Sequence, residues 1–143
     1  MTDAGERWRV LYDEECGLCK WLLSGLLRWD SGRRLEPLGL RRPEAGELLR
    51  ELDPGERMSS WHLIAPTGGR HSAGAALPPL LRQLPGGRVP AAAFARFPLL
   101  TERGYRWVAD HRAQLSKLVP DGAKQRASER VRRREPRSPR ADL

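Results

Sequence analysis

Apolar residues along this chain fall in short blocks whose period changes from block to block. Arg9-Val10-Leu11-Tyr12 is an apolar, β-rich run and predicts a strand of about five residues beginning near Trp8. It stops at Asp13-Glu14-Glu15, acids of low strand preference. From Cys16 the period becomes helical. Cys19, Leu22, Leu23, Leu26 and Leu27 form a stripe expected to face a core, and the helix ends near Trp29-Asp30, before Ser31-Gly32. Residues 35–40 read as a second strand, and Pro43 suits the first turn of a helix running to Leu52. Asp53-Pro54-Gly55 reads as a turn. Residues 60–65 are the best strand of the middle region. Pro66-Thr67-Gly68-Gly69 turns it back onto Arg70-His71-Ser72 as a hairpin partner. Ser72 is placed to cap a helix through Gln83, in which Pro78-Pro79 imposes either a kink or a late start. A loop over 84–87, a short helix over 91–97 and a longer helix over 102–119 follow. After Pro120 the apolar periodicity disappears, and no internal repeat is visible.

Strand, helix, strand, helix, hairpin and helix in that order predict an α/β sheet covered on both faces. At 143 residues the chain supports one hydrophobic core without metal or disulfide staples. The expected division is one domain over residues 1–119 and a basic tail over 120–143, in which residues 124–140 read as a solvated helix end fraying into disorder. A content of 39% hydrophobic and 31% charged residues excludes collagen, a coiled-coil rod and a fully disordered chain. No apolar run approaches the roughly 18 residues of a membrane span. Met1 to Arg9 is polar and unlike a secretory signal, so a cytoplasmic location is expected.

The net charge of +8 is unevenly spread, because the last 24 residues hold eight Lys/Arg against four Asp/Glu. Of the 26 basic residues 23 are Arg. Beside many Ala, Gly, Pro and Leu, that bias fits the codons of a GC-rich genome as well as it fits a polyanion-binding surface. The run from Arg126 to Arg134 lacks interleaved aromatics for base stacking and is interrupted by Glu129. It therefore reads as a solvated tail, with anion or nucleic-acid binding as an alternative function and no specific nucleic-acid partner expected.

The two cysteines, Cys16 and Cys19, form a C-x-x-C at the junction of the first strand and the first helix. Thiol–disulfide exchange needs a thiolate, and a helix N-terminus favours negative charge. Three-residue spacing puts both sulfurs on one side of the first turn. Cys16 is expected to be the outer, attacking thiol and Cys19 the inner, buried, resolving one. Glu14 and Glu15 oppose the Cys16 thiolate and Lys20 favours it. Asp13, at the strand end, is either a general base toward Cys19 or a turn and capping residue. Two other uses of the pair stay open. One is a zinc or partner-binding site completed in space by His62, His71 or His111, and the other is two inert cysteines. His62 reads as a satisfied core or edge histidine, His71 as a residue beside the Ser72 cap with a role at the site as the lesser alternative, and His111 as a solvated or helix-packing residue. Trp61 and Trp107 read as core, and Trp21 and Trp29 as packing residues of the first helix.

Tyr12-Asp13 followed by Cys16-Gly17-Leu18-Cys19 resembles the opening D-x-x-C-x-x-C signature of the DCC (DUF393) family of thiol–disulfide oxidoreductases. Trp61-His62-Leu63-Ile64, the following turn, Ser72-Ala73-Gly74-Ala75-Ala76 with Leu80-Leu81-Arg82, and the closing stretch from Tyr105 to Arg112 follow that family in order. The likeness covers roughly residues 8–119. It implies a thioredoxin-like three-layer sandwich with a small mixed sheet and extra C-terminal helices. It also implies a redox-active disulfide formed by Cys16 and Cys19, with Asp13 as the motif aspartate. The function implied is protein-disulfide reductase chemistry on a disulfide- or thiol-bearing protein or small thiol, with no cofactor and no metal. Tyr12, Glu14, Glu15, Gly17, Leu18, Lys20, Ser59 and Ser60 are the expected neighbours of the site. Two departures stand out. Glu14 replaces the family's usual glycine, and Met58-Ser59-Ser60 stands where thioredoxins carry a proline facing the cysteines.

Overall fold

The computed structural model describes residues 7–135; readings that fall on 1–6 and 136–143 lie outside the described residues. Four strands, β1 (Trp8–Tyr12), β2 (Leu35–Gly39), β3 (His62–Ile64) and β4 (Arg70–Ser72), form one sheet in the order β2-β1-β3-β4. β2 runs parallel to β1, with Val10 opposite Pro37. β3 is antiparallel to β1, and β4 to β3. Pro37 lacks an amide donor and is tolerated because β2 is an edge strand.

The alternation of β1 sets up two cores. Val10 and Tyr12 point to one face, where Leu23 and Leu27 of α1 (Gly17–Trp29) and Leu80 of α4 (Leu77–Leu81) cover them. Leu11 points to the other face, covered by Ala45 of α2 (Pro43–Leu48), Leu49 and Met58 of α3 (Pro54–Ser59). Leu11 and Leu63 are 0% exposed, each burial worth about 2 kcal/mol. The result is the expected thioredoxin-like α/β fold, a mixed sheet between two helical layers.

Several elements differ from their sequence reading. Asp53-Pro54-Gly55 is the start of α3 rather than a turn. The Asp53 side chain accepts the Glu56 N–H at 2.8 Å, and Pro54 occupies the first helical position. The helix expected over 43–52 ends at Leu48, and the strand expected over 60–65 is confined to His62–Ile64. A 3-10 turn over Ala73–Ala76 precedes α4, so Pro78-Pro79 delays the helix instead of kinking it. The short helix α5 spans Arg88–Arg96. The long final helix is two, α6 (Pro98–Asp110) and α7 (Arg112–Leu118). They break at His111, whose ring stacks 4.4 Å from Trp107 and bonds its carbonyl oxygen through Nδ1 at 2.7 Å. Trp107 itself is 56% exposed, which corrects its assignment to the core.

The largest correction concerns the basic tail. Asp121–Arg134 forms α8, which packs along α1 and buries Ala127 and Val131. Arg134 donates to the Asp30 carboxylate at 2.8 Å, and Asp30 also accepts the amides of Arg34 and Leu35. Glu135 then accepts from the Tyr12 hydroxyl at 2.9 Å and the Gly39 amide at 2.7 Å. The end of α8 is thereby tied to the C-terminal ends of β1 and β2, beside the cysteine loop.

Candidate active site

The loop after β1 delivers both cysteines to the start of α1. Cys16 is the N-cap, with extended backbone, and Cys19 lies in the first turn. The Cys19 N–H donates to Cys16 Sγ at 3.3 Å, so the sulfur satisfies one of the helix's otherwise unpaired amides. Both thiols are free and half-buried. Cys19, expected to be buried, is half-buried and faces a cavity.

The two thiols are electrically unequal. The Cys16 pKa falls from 9.0 to about 6, chiefly because the Cys19 thiol donates to it; the Cys19 amide and the Arg112 guanidinium add to this, against burial and the Asp13 charge. The Cys19 thiol is pushed far up, by donating to Cys16, by burial and by the Cys16 charge. The pair thus holds one proton on Cys19 and a thiolate on Cys16.

Asp13 is 18% exposed at its side chain and serves two ends. Oδ1 accepts the Glu15 amide at 3.0 Å, the turn role weighed from the sequence. Oδ2 faces Arg112 at 3.9 Å. The acids after it are diverted from the sulfur. Glu14 folds over Gly39, where a Cβ would collide with it, and accepts the Arg41 amide at 2.7 Å. Glu15 pairs with the Arg41 guanidinium at 3.1 Å. The unusual Glu14 is therefore accommodated by a glycine on the neighbouring strand. Gly17 opens α1 where a side chain would press on Lys124 of α8, and Leu18 is buried in α1. Lys20 donates its amide to the Cys16 carbonyl. Ser59 ends α3, and Ser60, extended, lines the cavity that Cys19 faces.

That cavity, about 760 Å³, lies between α1, α5 and α6. Leu22 of the α1 stripe lines it and stays 46% exposed instead of entering the core. The sequence reading missed four of its contributors. Arg112 supplies the cation, Tyr105 accepts the Trp61 amide at 3.2 Å, and Phe94 and Phe97 form the far wall. Arg112 and Tyr105 fall within the closing stretch that resembled the family, which was their one visible signal.

The histidines do not join the cysteines. His62 is buried between Ser72 Oγ at 2.6 Å and the Arg57 carbonyl at 3.0 Å, as a satisfied core histidine. His71 stacks against Trp8, and His111 against Trp107. Among the described residues no group of three or more His, Cys, Asp or Glu comes together as a metal site. Nor, among them, is any helix long and apolar enough to cross a membrane.

A search of curated proteins and one of solved structures return no match. A family model described as DCC1-like thiol-disulfide oxidoreductase matches residues 10–118, from the middle of β1 to the end of α7. With that match over most of its length, and its cysteine pair at the helix start, the chain belongs to the DCC1-like thiol-disulfide oxidoreductase family.

Proposed function

We propose that the protein is a cytoplasmic thiol–disulfide oxidoreductase of the reductase type, with Cys16 attacking and Cys19 resolving. The Cys16 thiolate attacks one sulfur of a substrate disulfide, and the other sulfur leaves as a thiolate that takes up a proton. Cys19 then loses its proton and attacks Cys16, closing the Cys16–Cys19 disulfide and releasing the second substrate thiol. Two electrons and the one proton of the cysteine pair pass to the substrate, solvent supplies the second proton, and an external dithiol restores the pair. Asp13, beside the pair, takes the Cys19 proton during resolution. Arg112 steadies the thiolates that form.

The observation that carries this reading is the pair at the start of α1, where the Cys16 sulfur caps the helix and accepts the Cys19 N–H at 3.3 Å, an arrangement that lowers the Cys16 pKa while Cys19 keeps its proton. Reaction with glutathione disulfide, read by mass, tests it. Cys19→Ser should accumulate a glutathione adduct at Cys16, while the wild type releases glutathione and closes its own disulfide. An adduct that persists equally in the wild type contradicts the resolving role. The tail-based alternative loses ground because two arginines of α8 reach back into the domain and one pairs within the helix. Arg134 holds Asp30, Arg130 donates to Ser24 Oγ, and Arg133 pairs with Glu129.

A further inference from the structure

Cys19 lines a cavity whose wall defines what fits it, and the Cys16 sulfur sits just outside, 3.3 Å from the Cys19 amide. Building on the redox reading above, we propose that the substrate is a small molecule whose disulfide sits at the end of a long apolar chain, with the chain lodged between α1, α5 and α6.

Four observations lead there. At about 760 Å³ the cavity has the size of a small-ligand site rather than of a protein interface. Its wall is apolar along Leu22, Leu26, Phe94, Phe97 and Leu100, and among its lining residues charge is confined to Asp13 and Arg112, close to the cysteines. That asymmetry orients an amphiphile: the end where thiolate develops meets the Arg112 cation, and the chain meets hydrocarbon. Leu22, Phe97 and Leu100 are 46%, 54% and 67% exposed at the cavity, an uncovered apolar strip of the kind that marks a binding groove. Finally, the wall leaves few polar groups for an extended peptide. Helices form most of it, the Trp61 amide is taken by Tyr105, and the Thr101 hydroxyl donates to the Phe94 and Phe97 carbonyls. A strand laid here finds little main-chain pairing, whereas an alkyl or prenyl chain needs none.

The chemistry is balanced as above. Cys16 attacks the sulfur at the end of the chain, the S–S bond breaks, and the outer sulfur departs as a thiol. Closure of the Cys16–Cys19 bond releases the chain as its thiol. The thiolate–thiol pair loses two electrons and one proton, solvent supplies the second proton of the two product thiols, and a soluble reducing dithiol regenerates the pair.

The test uses alkyl pyridyl disulfides with ethyl, butyl, hexyl and octyl chains, following pyridinethione release by absorbance and comparing each with release by dithiothreitol. The second-order rate constant should climb about fourfold per added methylene until the cavity is full. Gly104 lies on α6 in the cavity wall, with nothing within 4 Å of where a Cβ would sit. Gly104→Leu fills that space with a better helix former and should collapse the octyl-to-ethyl ratio toward the dithiothreitol value. A wild-type ratio no larger than that of dithiothreitol, or an unchanged ratio in Gly104→Leu, overturns the substrate class and leaves the redox reading standing. No pyridinethione release even from the ethyl compound overturns the redox reading itself, and this inference with it.

Discussion

Arg112 Nη1 lies 3.9 Å from Asp13 Oδ2, joining the first residue of α7 to the loop that carries the cysteines. The pair sets opposite charges beside one thiolate: Arg112 lowers the Cys16 pKa and Asp13 raises it. Arg112→Ala should therefore raise the Cys16 pKa. The guanidinium is half exposed, so the effect is modest, about a two- to fourfold slower iodoacetamide reaction near pH 6 that fades once both proteins are fully ionised. A rate profile unchanged across pH contradicts the role given to Arg112.

The proton inventory of the pair fixes how its reduction potential moves with pH. Above about pH 6 the reduced form holds a thiolate at Cys16 and a thiol at Cys19, so reduction takes up two electrons and one proton. The potential should fall by about 30 mV per pH unit there, and by about 60 mV below pH 6, where two protons enter. The same depressed pKa favours the folded, reduced protein at alkaline pH. That contribution is complete above the ordinary thiol pKa of 9.0 and is lost as pH falls through 6. Redox titrations at several pH values check the slope, and a uniform 60 mV contradicts a Cys16 thiolate.

Asp13→Asn separates the two roles of that residue. Asparagine keeps an oxygen for the Glu15 amide, so the turn survives, but it cannot accept the Cys19 proton. Attack by Cys16 should persist while resolution slows about a hundredfold, visible by mass as an adduct lingering on Cys16. Loss of melting temperature with no change in adduct lifetime makes Asp13 a turn residue only.

The layered fold and the place of the cysteines were legible because they depend on local period and on one motif. The rest depended on what meets across space. Leu22 belongs to the same stripe as Leu23, yet one is exposed at a cavity and the other buried, because α5 and α6 stand off from that side of α1. Arg112 carries no local mark of its role; the helix break at His111 places it. Asp53-Pro54-Gly55 fits a turn and a helix start equally well, and α3 is too short to show a period. In α8 only Ala127 and Val131, one turn apart, face the core, a stripe too narrow to stand out among its arginines.

Arg134 offers the stability counterpart. Its guanidinium is the cation on Asp30, whose side chain is 0% exposed. Arg134→Met should cost about 3 kcal/mol by leaving a buried carboxylate without its charge partner, measured by urea denaturation of the reduced protein. A loss below about 0.5 kcal/mol makes the pair a surface contact and loosens the attachment of α8.

The most direct test of the central claim is a glutathione redox titration of the purified protein, read by mass after thiol alkylation, with Cys16→Ser and Cys19→Ser alongside. The account requires a reversible, two-electron, intramolecular Cys16–Cys19 couple between roughly −120 and −270 mV, absent from both variants. A pair that stays reduced throughout, or that oxidises only between molecules, contradicts it.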